Sequence, residues 1–168
     1  MPIRSVLIAL LLIAPVAPVL AQDAPAGTTA PADVAPSLTG DVWLDTWLAD
    51  VDLYAGRYRG AFVDELVRYQ SAPRAFVDEL LAAGARPADV YLACATARSL
   101  GRTCREIIAE WRRDPAAGWR GVLDRLDAGP GTETFVRVRR GLVSSFDRWA
   151  RPIRLDAALR RAFPDRAD

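Results

Sequence analysis

Between Pro87 and Phe135 the apolar residues recur at intervals of three and four, with a glycine or proline closing each run. That spacing puts them on one face of an α-helix, and a chain punctuated in this way must fold as short helices packed face to face. Pro87 opens a helix carrying Val90, Tyr91, Cys94, Ala97 and Leu100, and Gly101 then allows a left-handed turn that other residues resist. Thr103 caps the next helix, with Ile107, Ile108 and Trp111 on one face, and Asp114-Pro115 stops it. Gly118-Trp119 introduces another, with Val122, Leu123 and Leu126 apolar, and Gly129-Pro130-Gly131 makes a turn.

The same grammar extends in both directions. Upstream, Thr39 or Asp41 caps a helix bearing Trp43, Leu44, Trp47, Leu48, Val51 and Tyr54, which Gly56 ends. Two tryptophans at helical spacing suit a core face better than a sugar-stacking platform. The hexapeptide Ala61–Leu66 is echoed at Ala75–Leu80, and Pro73 between the copies separates helices near 58–70 and 73–83. Downstream, Thr132 caps a helix with Phe135, Val138, Leu142, Phe146 and Trp149, which Pro152 ends; Asp156 caps a last short helix with Leu159 and Phe163 inward. No segment alternates as a strand does, so the expected class is all-α, a compact bundle of six to eight short helices in one domain spanning 39–165.

Ahead of that domain, Arg4 precedes an apolar run from Val6 to Ala14, and Val19-Leu20-Ala21 offers small residues for cleavage, the pattern of a secretory signal peptide over residues 1–21. The run is well short of the ~20 residues that a membrane-spanning helix needs. Residues 22–38, rich in Ala, Pro, Thr and Asp, lack the apolar content to bury a core and read as a disordered tether. Periplasmic or secreted localisation is therefore expected. All 22 basic residues are arginines, and losing Arg4 leaves 21 against 21 acidic residues. A neutral mature chain has no global field to draw it to nucleic acid. The charge is uneven, however. Asp41, Asp45, Asp50 and Asp52 lie early, whereas Arg137, Arg139, Arg140, Arg148, Arg151, Arg154, Arg160 and Arg161 crowd the last third; the two ends neutralise each other, are simply solvated, or leave an anionic-ligand site.

The two cysteines, Cys94 and Cys104, are even in number in a chain read as exported, and the turn at Gly101 folds one helix toward the other, so a disulfide is expected. The chain contains no histidine, which excludes Ser-His-Asp triads and Cys-His pairs; no metal site or cofactor is expected. A carboxylate-only glycan hydrolase could draw on Asp64, Glu65, Asp78, Glu79, Glu106 and Glu110, each also placed where a helix shows charge to water. Ala97, Gly101 and Ile107 imitate a DNA-binding helix-turn-helix, but Arg102 and Glu110 stand where that motif has apolar residues.

Pro87, Val90-Tyr91, Ala93-Cys94, Gly101-Arg102, Glu110-Trp111, Asp114, Gly118-Trp119, Leu126, Pro130-Gly131 and Phe135 together resemble a group of small exported all-helical proteins of Gram-negative bacteria, whose members carry G-W-G, a leucine, then P-G and a phenylalanine. The resemblance covers roughly the last two thirds of the chain and implies no activity. Arg120 replaces the second glycine, and Val136 follows Phe135 where the group has histidine. Within this segment Gly118, Trp119, Arg120, Pro130, Gly131 and Phe135 form a candidate interaction surface, the alternative being that Trp119 is plugged into the core. The expected function is a non-enzymatic binding or structural module of the cell envelope, with an envelope protein or glycan as partner.

Overall fold

The computed structural model describes residues 38–166 and contains, among them, eight α-helices, one short 3-10 turn and no strand. The helices are α1 (Val42–Arg57), α2 (Arg59–Tyr69), α3 (Arg74–Ala82), α4 (Pro87–Leu100), α5 (Cys104–Arg113), α6 (Gly118–Arg125), α7 (Glu133–Arg148) and α8 (Ala157–Ala162), with the 3-10 turn at Pro115–Ala117 between α5 and α6. The protein is thus all-α. The expected leader at 1–21 and the tether up to residue 37 lie outside the described residues. Leu38, read as the end of the tether, is already tied in, its carbonyl accepting the Arg120 amide at 3.0 Å.

Helix α4 is the core. Every residue from Ala88 to Ala97 is buried, and α1, α3, α5 and α7 pack around it. A helix enclosed on all sides must find partners for its free ends inside the protein. Arg86 at its N-cap supplies no side-chain hydrogen bond, so the cap comes from another helix: Asp52 of α1 accepts the Ala88 amide at 2.7 Å and the Arg86 Nε at 2.7 Å. At the other end Gly101 adopts the left-handed conformation (φ 68°), and the Arg102 amide reaches back to the Ala97 carbonyl at 2.8 Å. The turn delivers α5 against α4, where the Cys94–Cys104 disulfide joins them with Cα atoms 4.3 Å apart. Closing a loop of 10 residues removes unfolded-state entropy worth about 3 kcal/mol.

The local signals work as the sequence suggested. Asp41, Thr103, Thr132 and Asp156 cap α1, α5, α7 and α8 through their side chains, and Thr103 completes a capping box with Glu106. Helix α1 differs in running through Gly56 to Arg57. Trp43 and Trp47 are half-buried packing residues: the Trp43 indole N–H donates to the Arg154 carbonyl at 2.7 Å, and Trp47 meets the Phe146 ring at 5.4 Å.

Part of the charge asymmetry closes on itself. Asp50 binds the Arg151 guanidinium through both carboxylate oxygens at 2.6 and 2.8 Å, while Arg139 lies between Asp41 and Asp156. Buried charge also occurs inside: Asp89 on α4 accepts the Trp119 indole N–H at 2.7 Å, and burial pushes its carboxyl above the usual range, opposed by the Trp119 bond and by Arg86. A raised folded-state pKa favours the protonated fold, so this contribution to stability is complete below the unfolded value of ~3.9 and is lost as pH rises through the folded value. Asp89→Asn keeps an oxygen for Trp119 without the charge. Denaturant titrations should show wild type losing stability relative to this variant as pH rises across that window; a constant difference would contradict the assignment.

Candidate functional site

Helix α7 has two faces. Phe135, Val138, Leu142, Val143 and Phe146 are buried, whereas Arg137, Arg140, Ser144 and Arg148, at intervals of three and four, project along the other side. Opposite them stand Arg98 and Ser99 at the end of α4, and Tyr69 and Gln70 where α2 stops. Together these elements enclose a cleft of about 430 Å³ whose wall holds four arginines and no acidic side chain. Gly141 contributes to the wall from the middle of α7, and a Cβ added there would meet nothing within 4 Å.

The arginines are held to different degrees. Arg148 is the most constrained. Its Nε donates to Glu65 Oε2 at 2.9 Å, its Nη2 also binds Glu65, and its guanidinium lies 3.8 Å from the centre of the Tyr69 ring. Glu65 is 3 % exposed, and it accepts a further bond from the Ser145 hydroxyl at 2.7 Å; Ser145 in turn accepts from Tyr91 of α4 at 2.8 Å. Hydrogen bonding to Glu65 raises the Arg148 pKa above its ordinary value, and burial pushes the Tyr91 phenol up as well, so the donors stay protonated at neutral pH. Arg137 bonds the Ser99 carbonyl at 3.1 Å, with Glu133 at 3.6 Å on the exposed side. Arg98 bonds the Ser71 hydroxyl at 2.9 Å, and neither it nor Arg140 has a carboxylate within ion-pair distance among the described residues. Guanidinium groups on a concave surface bind carboxylate and phosphate by paired, charge-assisted hydrogen bonds, whereas the Ser99 and Ser144 hydroxyls donate to the Ala95 and Arg140 carbonyls.

The segment proposed from sequence as an interaction surface is arranged differently. Trp119 is fully buried, stacked on Trp111 at 6.2 Å and bonded to Asp89, and Phe135 is buried on α7. Of that segment Arg120, Pro130 and Gly131 are exposed and Gly118 is half-buried, so its flat apolar element is core and no Trp119-centred face is presented. Gly118 has φ 60°, which lets the chain turn into α6 beneath Leu38. Cys94 and Cys104 are both buried.

Of the six candidate carboxylates only Asp64 and Glu65 line one hollow, and both are already engaged by arginines. Glu65 is engaged by Arg148 and Ser145, Asp78 faces Arg59 at 3.7 Å, and Glu110 faces Arg113 at 3.0 Å. The Arg74 hydrogen bond holds Asp64 below the usual carboxylate range, as the Thr103 bonds do for Glu106, which is the reverse of what a general acid requires; Glu79 is exposed. Among the described residues no three acidic or cysteine side chains converge to hold a metal.

A sequence signal for the cleft was present in Arg137, Arg140, Ser144 and Arg148 at helical spacing; their opposition to Arg98 required knowing which helix faces α7. Glu65 is the support that spacing does not reveal. Glu65→Ala leaves Arg148 without its buried counter-charge and Ser145 without its acceptor, and is expected to cost about 3 kcal/mol in chemical denaturation. Glu65→Gln, which keeps the volume and one oxygen, should cost less; equal losses would show that charge pairing is not what matters there.

No family model matches this sequence, and no curated protein and no solved structure matches it.

Proposed function

We propose that the protein is an exported, non-enzymatic binding module of the cell envelope that takes an anionic ligand in the cleft between α4 and α7. The observation that carries the reading is a concave wall with four guanidinium groups, of which Arg98 and Arg140 have no carboxylate partner among the described residues, and no carboxylate among its lining residues, in a chain whose overall charge is close to balanced. Local excess of one charge in a cleft concentrates ligands of the other sign, an effect that a neutral surface lacks. One wall residue, Arg148, is pre-positioned by a buried carboxylate, which lowers the cost of ordering it around a ligand. A second basic hollow, where Arg105 lies 4.1 Å from the Phe76 ring and Arg112 and Arg113 flank it, is smaller at about 360 Å³ and has no such support described beneath it.

The leader pattern and the Cys94–Cys104 disulfide support export, because a disulfide persists in an oxidising compartment. Intact-mass measurement on native protein from fractionated cells should give a species cut after Ala21 with no free thiol before reduction. A full-length, reduced cytosolic species would contradict export.

Binding is tested by calorimetric titration with citrate, a trianion near neutral pH. Arg140→Ala should weaken citrate binding roughly tenfold, the effect of one lost charge-assisted contact of about 1.4 kcal/mol. Gly141→Leu, which fills the open space without changing charge, should weaken it by a similar factor. If Arg140→Ala weakens binding and Gly141→Leu does not, the ligand is held by diffuse charge rather than in the cleft. Wild-type protein that does not bind citrate would contradict the reading.

A further inference from the structure

Beside the arginine cleft lies a second hollow of about 230 Å³, and the two share Tyr69 and Arg148 as a common wall. Its character is different. Trp149, stacked at 4.3 Å on the buried Tyr54, forms one side, Tyr69 stands 43 % exposed on another, and Asp64, Arg68 and the Arg148-bound Glu65 supply polar groups. Asp64 is held in place by Arg74, so its carboxylate is an oriented acceptor on an exposed surface. Aromatic side chains flanked by a fixed carboxylate and a guanidinium suit a ring with apolar C–H faces and equatorial hydroxyls, because the faces pack on the π-systems and the hydroxyls donate to the acid. The neighbouring arginine cleft suits carboxylate or phosphate on the same molecule.

We infer that the ligand is an acidic saccharide that lies across the shared Tyr69–Arg148 wall, with a sugar ring in the aromatic hollow and an anionic substituent in the arginine cleft. The inference rests on the binding function proposed above and adds the chemical class of the ligand. Its distinguishing feature is that the two hollows meet at one residue pair, so that a single molecule can use both and gain from each without a second ordering cost.

The test compares two trianions of unlike shape, trigalacturonate and citrate, by calorimetry at the same pH and salt. Trigalacturonate should bind at least ~tenfold tighter than citrate, the factor expected from about 1.4 kcal/mol of added ring and hydroxyl contacts. Asp64→Ala and Tyr69→Leu should each remove most of that margin, with Asp64→Ala leaving citrate affinity within about twofold, whereas Arg140→Ala should weaken both ligands. Asp64 is a surface residue, so its loss is read on a folded protein even if Tyr69→Leu disturbs Arg148. Trigalacturonate binding no tighter than citrate, or a margin that survives both substitutions, would overturn the saccharide assignment while leaving an anion site intact. Failure of both ligands to bind would overturn the proposed function with it.

Discussion

The burial of α4 is the constraint on which the other helices depend. Ten consecutive residues from Ala88 to Ala97 lie out of water, so α4 cannot satisfy its own ends or its polar side chains from solvent. Three of these requirements each recruit a different neighbour, whereas the buried Thr96 hydroxyl has no partner among the described residues. Asp52 brings α1 to the N-terminus, Trp119 brings α6 to Asp89, and Ser145 brings α7 to the Tyr91 hydroxyl. The disulfide from Cys94 then fixes α5. Apolar burial supplies the bulk of the driving force, but these polar contacts select which neighbour sits where, since a mispacked helix would leave a buried donor or acceptor unmade at a cost of about 1–3 kcal/mol.

The candidate site is an outgrowth of that same packing. The chain of hydrogen bonds that starts at Tyr91 in the core passes through Ser145 and Glu65 and ends on Arg148 at the surface. Arg148 is consequently a charged group on a rigid mount, in contrast to Arg98 and Arg140, which are exposed and have no described carboxylate partner. A cleft that combines one fixed and several adaptable guanidiniums can orient an anion while adjusting to its shape. The arginines of the opposite region behave otherwise: Arg139 and Arg151 are occupied by Asp156, Asp41 and Asp50, and they fasten the C-terminal segment to α1.

Much of this was legible in the sequence because the signals are local. Caps at Asp41, Thr103, Thr132 and Asp156, the glycine turn at Gly101 and the three-and-four spacing of apolar residues act within a few residues of themselves, and the helices followed them. What was not legible depends on tertiary partners. Trp119 beside Gly118 and Arg120 can read as an exposed contact or as core, and its position is decided by Asp89, 30 residues away, and by the face of Trp111. Glu65 sits in a hexapeptide repeated without change at Ala75–Leu80, yet Glu65 is buried against Arg148 and Glu79 is exposed, because only the first faces α7. The 3-10 turn at Pro115–Ala117 is a further case: Asp114, which stops α5, also accepts the Ala117 amide there. The cleft itself arises from α4 and α7 lying side by side, which no spacing within either helix encodes.

The central claim is that anions bind at the α4/α7 cleft in preference to the protein's other arginines. The most direct measurement is a phosphate titration followed by NMR on the arginine side-chain Nε–H resonances. The fold and the charge distribution predict that the Arg98, Arg137 and Arg140 signals shift together and saturate with one affinity, while those of Arg139 and Arg151, which bind carboxylates outside the cleft, stay in place. Shifts of equal size at all the exposed arginines, or a saturating response centred on Arg105 and Arg112, would contradict it.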